Sequence, residues 1–533
     1  MIVLVAAIGI LAVPFLVACV QLLAHRGPVY LIADPALVDV DVRTALRWHL
    51  LLGPYDRYGW HHPGPAFAYL LATIERVVGT GPVGDSLGVA IINASAALGT
   101  VALVRRRVGD LAGLWAAGVL AALCLKVGPT NLLASWGPDV LALPTIFLGA
   151  LCAEVARRNL VAIMGALVVA TFLVQTQLAT LPIALGMMLA GVVLAWIHTR
   201  RKAQRRPSRR SLIAIGLLSL LLVAFWFPPV LEQILRIGQA PRSVVVSGLH
   251  PSLPQVDSSQ GNFVAIWHFF RTPHPGHSLA SAVSLLVPQP VMVLLLLAAL
   301  GVAIAMGRRV AGGFGADLGI ITLVAAVSTL FAVTRIVGQI QGFDLTWDKA
   351  VPVLGAIGVG VTLLGRLQAF SPGQEPSSTG PAAGRYARLV PHLGTAALVA
   401  VVVSATFAGA SFLFRFATYR VTYLSAPSLA AAWTFVTPEL QDKASVFVVP
   451  LNGLSYGVAA GIVDQLVARD VRATVPAAWS PEFGIGRVTA DNEQVEVLVN
   501  GGLYTGSQLL HKVFPGPPWP TQVLVLARHQ HVP

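Results

Sequence analysis

Charge is scarce in this 533-residue chain: Asp, Glu, Lys and Arg make up 11% of it, against 56% apolar residues. A soluble globular protein carries roughly a quarter charged residues, so this balance excludes an ordinary soluble domain and indicates a multi-span membrane protein. Cysteine is rarer still. The three present, Cys19, Cys124 and Cys152, lie far apart in apolar stretches. That excludes a disulfide framework and a zinc-type spacing, and leaves small buried hydrophobes. An internal repeat is also missing, which argues against a transporter built from duplicated halves. Residues 1–23 lack the basic leader and small-residue cleavage site of a signal peptide, so they are expected to remain as a first span. The formal net charge is +13. Its distribution argues against a nucleic-acid partner, because the bases form short clusters beside apolar runs and no continuous face.

About 20 apolar residues cross a bilayer core of about 30 Å. On that basis spans are expected near 1–23, 83–104, 111–127, 138–155, 159–175, 179–198, 212–229, 288–306, 316–334, 350–365 and 391–413. Ala66 to Val78 is apolar but short, as in a re-entrant or interfacial helix. Basic clusters follow alternate spans: Arg105 to Arg107, Arg157 and Arg158, seven Lys/Arg between Arg200 and Arg210, Arg308 and Arg309, then Arg366, Arg385 and Arg388. The positive-inside rule makes their side cytoplasmic. The expected architecture is an α-helical polytopic membrane protein with about 11 transmembrane helices over residues 1–418 and outer loops at 24–82 and 230–287. After a Pro-, Gly- and Ser-rich linker from Ser371 to Gly384 the composition changes. Ala444–Pro450, Val471–Val475, Gln494–Val499 and Gln522–Ala527 read as strands and Leu454–Arg469 as an amphipathic helix. Residues 419–533 are therefore expected to form a small extracytoplasmic α/β domain.

The first outer loop holds the densest polar chemistry. It opens with Asp34-Pro35-Ala36-Leu37-Val38-Asp39 and closes with Tyr58-Gly59-Trp60-His61-His62-Pro63-Gly64-Pro65. Asp34 before Pro35 suits a helix start, with Asp as N-cap. On that helix Asp34 and Asp41 share a face, while Asp39 points about 140° away. The plain reading makes Asp34 a cap, and Asp39 and Asp41 solvated acids favoured by the helix dipole.

The Asp-x-Ala-Leu-x-Asp opening, followed by Gly53-Pro54-Tyr55-Asp56-Arg57-Tyr58-Gly59-Trp60 and His62-Pro63-Gly64-Pro65, resembles the first outer loop of GT-C glycosyltransferases. These are membrane enzymes that use polyprenyl-phosphate sugars. The likeness is to an actinobacterial group of integral membrane proteins and, more distantly, to the protein mannosyltransferase and aminoarabinose transferase type. Trp136-Gly137-Pro138, Gln175-Thr176-Gln177, Gly261-Asn262-Phe263, Arg335 and Trp347 extend it over residues 1–365. The chain departs from the group at Asp39, where Glu is commoner, and at Gln177, where His is commoner, so Asp41 is an alternative second acid.

The resemblance implies sugar transfer from a polyprenyl-phosphate donor to a glycan, lipid or protein acceptor of the cell envelope, at the outer face of the plasma membrane. In that chemistry a carboxylate takes the proton of the attacking acceptor hydroxyl, and donors or a cation stabilise the departing phosphate. Asp34 is the candidate base and Asp39 the second acid. Arg335, at the outer end of a span, is placed to grip phosphate with its planar fork, with Arg57 and Arg242 as weaker alternatives; the plain reading is a snorkelling arginine. Tyr55, Tyr58, Trp60 and Trp347 suit stacking on a sugar, or an interfacial aromatic belt. His61 and His62 either contact substrate, ligate a metal, or pack at the interface beside a rigid Pro-Gly-Pro turn. Gln175 and Gln177 either line the cavity or bond helix to helix. No cofactor is required by the motif, and a need for a divalent cation is left open. His268, His274 and His277 match no metal spacing.

The competing function is a transporter or flippase for a lipid-linked envelope precursor. Such proteins hold substrate near the bilayer midplane, whereas Asp139, Glu154 and Asp317 lie near span ends and the polar density sits in loops. A third reading is an assembly scaffold, and the C-terminal domain is expected to bind acceptor or partner. The predicted orientation has a direct check. A cysteine introduced beside Asp56 is expected to react with a membrane-impermeant thiol reagent in intact cells; labelling only after lysis inverts the topology.

Overall fold

The structure is a computed structural model that describes residues 2–25, 27–56, 60–79, 81–198, 208–236, 313–336, 340–369, 409–416, 426–440, 443–453, 455–483, 495–501, 511–514 and 521–527, with isolated positions between them. The chain begins with α1 (Ile2–Leu23), α2 (Ala33–Leu46), α3 (Ala66–Val78), α4 (Pro82–Val108) and α5 (Asp110–Leu133). It continues with α6 (Gly137–Val140), α7 (Ala142–Val155), α8 (Leu160–Thr176), α9 (Leu181–His198) and α10 (Arg209–Arg236). After these come α11 (Phe314–Val333), a 3-10 run over Gly342–Lys349, and α12 (Ala350–Ala369). Among the described residues six helical stretches are long and apolar enough to cross a membrane: Pro82–Val108, Asp110–Leu133, Leu178–His198, Arg209–Leu235, Phe314–Val333 and Gly342–Gly365. Ile8–Leu23, Ala142–Val155 and Leu160–Thr176 are shorter apolar helices. The expected spans at 288–306 and, for the most part, 391–413 lie outside the described residues.

Charges mark one end of this bundle. Arg107 donates to both oxygens of the buried Glu154, which also accepts from Asn159 at 3.2 Å. Arg157 lies 3.3 Å and His198 3.7 Å from Asp317. The C-terminal ends of α4, α7 and α9 therefore meet the N-terminal end of α11. Buried charges survive there because each has an opposite partner. At the opposite end Asn131 bonds Asp139, Thr346 bonds the Pro138 carbonyl, and Trp136 packs on Phe343 with ring centroids 5.0 Å apart. Pro129, near the end of α5, cannot donate to the carbonyl of Leu125; Arg415 does so instead, at 2.6 Å.

The C-terminal residues form a five-stranded sheet of order β4-β3-β5-β7-β6, from β3 (Ser445–Pro450), β4 (Arg472–Thr474), β5 (Val495–Gly501), β6 (His511–Phe514) and β7 (Thr521–Ala527). β3 runs parallel to β4 and β5, while β7 pairs antiparallel with β5 and β6. Five of the six β3 side chains are buried, as expected of a strand covered on both faces. Helices α13 (Pro427–Leu440) and α14 (Tyr456–Val467) pack with it, and α15 (Ser480–Phe483) follows β4. Neither α13 nor β6 was anticipated from the sequence. The first carries Pro438 in its last turn, and the second is too short to show alternation.

Two apolar clusters result, one in the helix bundle and one beneath the sheet, and α2 belongs to both. Val38, Val42 and Ala45 enter the bundle cluster. Ala36 and Val40, with Leu31 just upstream, enter the sheet cluster. On a 3.6-residue period those sets project from opposite faces. Backbone pairing reinforces the junction: Tyr30 donates to Leu424 at 2.8 Å and Ala426 donates to Tyr30 at 3.2 Å. At Gly461 an added Cβ meets Leu429 Cδ2 at 2.3 Å and the Leu31 carbonyl oxygen at 2.6 Å. Gly461→Ala is therefore expected to destabilise the protein by about 1–3 kcal/mol, read as a lower thermal unfolding midpoint of the detergent-purified chain.

Candidate functional site

The loop between α1 and α3 is built on short local contacts. Tyr55–Asp56 (β1) pairs antiparallel with Trp60–His61 (β2), with Tyr55 opposite His61. The two rings meet edge to face at 5.2 Å. His61 donates from Nδ1 to the Gly53 carbonyl at 2.8 Å, and His62 N–H donates to the Pro54 carbonyl at 2.9 Å. The Leu178 N–H donates to His62 Nδ1 at 3.2 Å, so the imidazole proton resides on Nε2, which faces Asp56 Oδ2 at 3.4 Å. Burial lowers the His62 pKa to about 4, and the ring is neutral at physiological pH. Gly64 abuts Gln175: a Cβ there meets Oε1 at 2.5 Å and Pro229 Cγ at 2.7 Å.

Asp34 opens α2. The helix starts at Ala33, with Ile32 at the N-cap and no side-chain cap bond, so the expectation that Asp34 caps the helix is corrected. The reason lies just upstream, where Ala33 takes a left-handed φ of 55°. Asp34 falls in the first turn instead, and its Oδ1 accepts a 2.6 Å hydrogen bond from the Tyr456 hydroxyl on α14. Burial and the adjacent Asp34 charge hold the Tyr456 pKa well above its ordinary value, with Glu482 and Asp41 adding to the effect. Tyr456 thus keeps its proton and donates. Glu482, on α15, is pushed up to about 7 by burial and by Asp34. Burial, then Glu482 and Asp56, raise the Tyr55 pKa. A chain of interacting groups therefore runs from Asp34 through Glu482 and Tyr55 to Asp56 and His62. Trp479 stacks on Tyr456 at 6.2 Å and Phe483 meets it edge-on at 5.9 Å, fixing the ring.

Asp39 turns to the other flank of α2, and it is not a solvated acid. It is wholly buried and pairs with Arg43 one turn along, at 2.6 Å. Arg43 also lies 3.9 Å from Asp464 of α14. Glu75 of α3 and Asp85 of α4 complete the group: ligand atoms of Asp39, Glu75 and Asp85 all lie within 4.8 Å of one another. Carboxylates that close repel by about 3–4 kcal/mol per pair at an effective dielectric of about 20. Burial first, and then the Asp39 charge, raise the pKa values of Glu75 and Asp464.

The other expected site residues divide by their surroundings. Gln175 is wholly buried; it accepts from the Ala66 N–H at 3.2 Å and donates to the Phe225 carbonyl at 3.0 Å, so both ends tie helices together. Gln177 is buried at the C-cap of α8, beside the Leu178 contact to His62. Trp347 is completely buried in the bundle cluster and presents no face to a sugar. Arg335 follows α11, half-buried, with its guanidinium over the Phe331 ring at 4.9 Å. Arg57, Tyr58 and Arg242 lie outside the described residues, and of Trp60 only the backbone is described. Sequence reasoning missed Tyr456, Glu482, Asp464, Glu75 and Asp85. Only the last three carried a signal, as acids set within apolar helical runs.

No family model matches the chain, and no curated protein matches it. Among solved structures it superposes on ArnT from Cupriavidus metallidurans bound to undecaprenyl phosphate with a TM-score of 0.54 and 14% identity, covering 96% of this chain and 97% of that one. ArnT from Cupriavidus metallidurans in the apo state matches at a TM-score of 0.48 and 12% identity over the same shares.

Glu482 gives the site a pH signature. Its folded pKa of about 7 exceeds the ordinary 4.5, so the folded chain holds a proton that the unfolded chain has released. Stability therefore falls as pH rises from about 4.5 to about 7. Glu482→Gln is expected to be more stable than wild type above pH 7, by on the order of 1–3 kcal/mol. The difference should vanish below pH 4.5, as checked by thermal unfolding across that range.

Proposed function

We propose that the protein is a membrane glycosyltransferase that moves a sugar from a polyprenyl-phosphate donor onto an envelope glycan, lipid or protein at the outer membrane face. The observation that carries this reading is Asp34, held by Tyr456 at the seam between the helix bundle and the sheet, in a chain whose fold resembles a GT-C enzyme.

In the proposed reaction the acceptor hydroxyl oxygen attacks the anomeric carbon, the bond from that carbon to the phosphate oxygen breaks, and Asp34 takes the hydroxyl proton. Tyr456 acts as a positioning residue that fixes the carboxylate. Asp41, on the same helix face as Asp34, serves as the second acid of the site, and Asp39 on the opposite flank takes no part in proton transfer. Arg335 holds the departing phosphate. His61 and Tyr55 line the acceptor side; the neutral His62 holds the loop through Asp56 and Leu178. Gln175 and Gln177 act as supports of the cavity wall, and Arg57, Tyr58 and Trp60 supply the remaining loop contacts to the sugar.

The reading is tested with a polyprenyl-phosphate sugar donor in membranes, the donor and acceptor classes first being narrowed by mass spectrometry of envelope glycans and lipids from a deletion strain. Asp34→Asn should lower transfer by about 10²–10⁴-fold with normal expression and insertion. Tyr456→Phe should cost about 10- to 100-fold in kcat, the worth of a hydrogen bond to a charged group. Near-wild-type turnover by Asp34→Asn removes the assignment.

A further inference from the structure

We propose that Asp39, Glu75 and Asp85, with Asp464 beside them, bind a hard divalent cation that clamps the C-terminal sheet unit to the helix bundle. The site draws on α2, α3 and α4, and α14 contributes the adjacent carboxylate. Ligand oxygens of the first three acids lie within 4.8 Å of one another. That is no farther apart than two oxygens on opposite sides of a calcium ion, whose bonds are about 2.3–2.6 Å long. All four side chains are buried, Asp39, Asp85 and Asp464 completely.

The independent sign of a ligand is Asp85. It is 0% exposed, and both its oxygens lack a hydrogen-bond partner among the described residues, although one of them lies within the acidic group. Glu75 Oε2 and Asp464 Oδ1 are likewise buried without a hydrogen bond. Among the described residues Arg43 is the cation paired with this group, with contacts to Asp39 at 2.6 Å and Asp464 at 3.9 Å. Four carboxylates against one guanidinium leave an excess of negative charge that burial does not tolerate unless a cation or protons offset it. An all-carboxylate donor set favours calcium, magnesium or manganese over zinc or copper, which prefer nitrogen and sulfur. The group occupies the flank of α2 opposite Asp34, so the cation is structural and touches none of the proposed reacting atoms.

The test uses the full chain purified in detergent without chelator. Elemental analysis is expected to find about one equivalent of calcium, magnesium or manganese per chain. EDTA should lower the thermal midpoint by several degrees, and calcium or manganese should restore it, because a ligand that binds only the folded state stabilises it. Added Mn2+ should give a bound-ion electron paramagnetic resonance spectrum. Asp85→Asn and Asp464→Asn each remove a like charge, so both should fold and lose the EDTA response. The Mn2+ measurement on the wild-type chain stands whether or not the variants express. A chain free of metal, indifferent to EDTA and without a bound Mn2+ spectrum overturns the proposal and leaves shared protons as the compensation. Neither result depends on sugar transfer.

Discussion

Helix α2 is fourteen residues long, too short to be stable alone in water, and it is held because both of its broad faces are buried. Val38, Val42 and Ala45 pack into the bundle, while Ala36 and Val40 pack beneath the sheet. The polar residues are therefore confined to the two seams between those faces. Asp34 and Asp41 share one seam, and Asp39 with Arg43 shares the other. Any rotation of α2 that improves one seam drives a charged side chain of the other into an apolar core. The orientation of Asp34 is thus set by packing on two sides, and the hydrogen bond from Tyr456 adds to it.

The same logic separates the ends of the bundle. Arg107 with Glu154, and Arg157 with Asp317, neutralise charges drawn from helices distant in sequence. Replacing such buried pairs by apolar residues is often neutral or stabilising, whereas removing one partner is costly. They therefore add little net stability while penalising any helix register that leaves one partner unmatched. The opposite end uses neutral contacts, such as Thr346 on Pro138 and Gln175 between Ala66 and Phe225. Charge there sits in the loop, in the α2 seams and at Asp139, which accepts from Asn131.

The long apolar helices among the described residues were legible because twenty-residue apolar runs leave few alternatives, and four of the five strands of the C-terminal unit were legible from short β-branched runs. The opposed faces of Asp34 and Asp39 followed from helical period alone. What could not be read was the partner of either. Tyr456 stands 422 residues from Asp34, and no local pattern marks it. The cap assignment for Asp34 failed because capping rules look only downstream, while the left-handed Ala33 moved the helix start. Trp347 looked like an interfacial ring and is core, since a tryptophan at the end of an apolar run fits both places. Asp85 was passed over as one acid at the mouth of a span. Its meaning appears only beside Glu75 and Asp39.

The C-terminal unit was expected to serve acceptor or partner binding, and its contacts give it a larger part. Tyr456 and Glu482 reach Asp34 on one seam, and Asp464 reaches Arg43 on the other. A domain that merely recruited a partner would meet the bundle through a surface of solvated residues, as transient domain interfaces do. Here Gly461 lets α14 approach the backbone of Leu31, and Gln465 donates to the Val29 carbonyl at 3.1 Å. Contacts of that closeness leave no room for a hinge between the two units at α2. The sheet unit therefore packs on α2 beside Asp34, and the carboxylate proposed to do the chemistry is held between the sheet unit and the bundle.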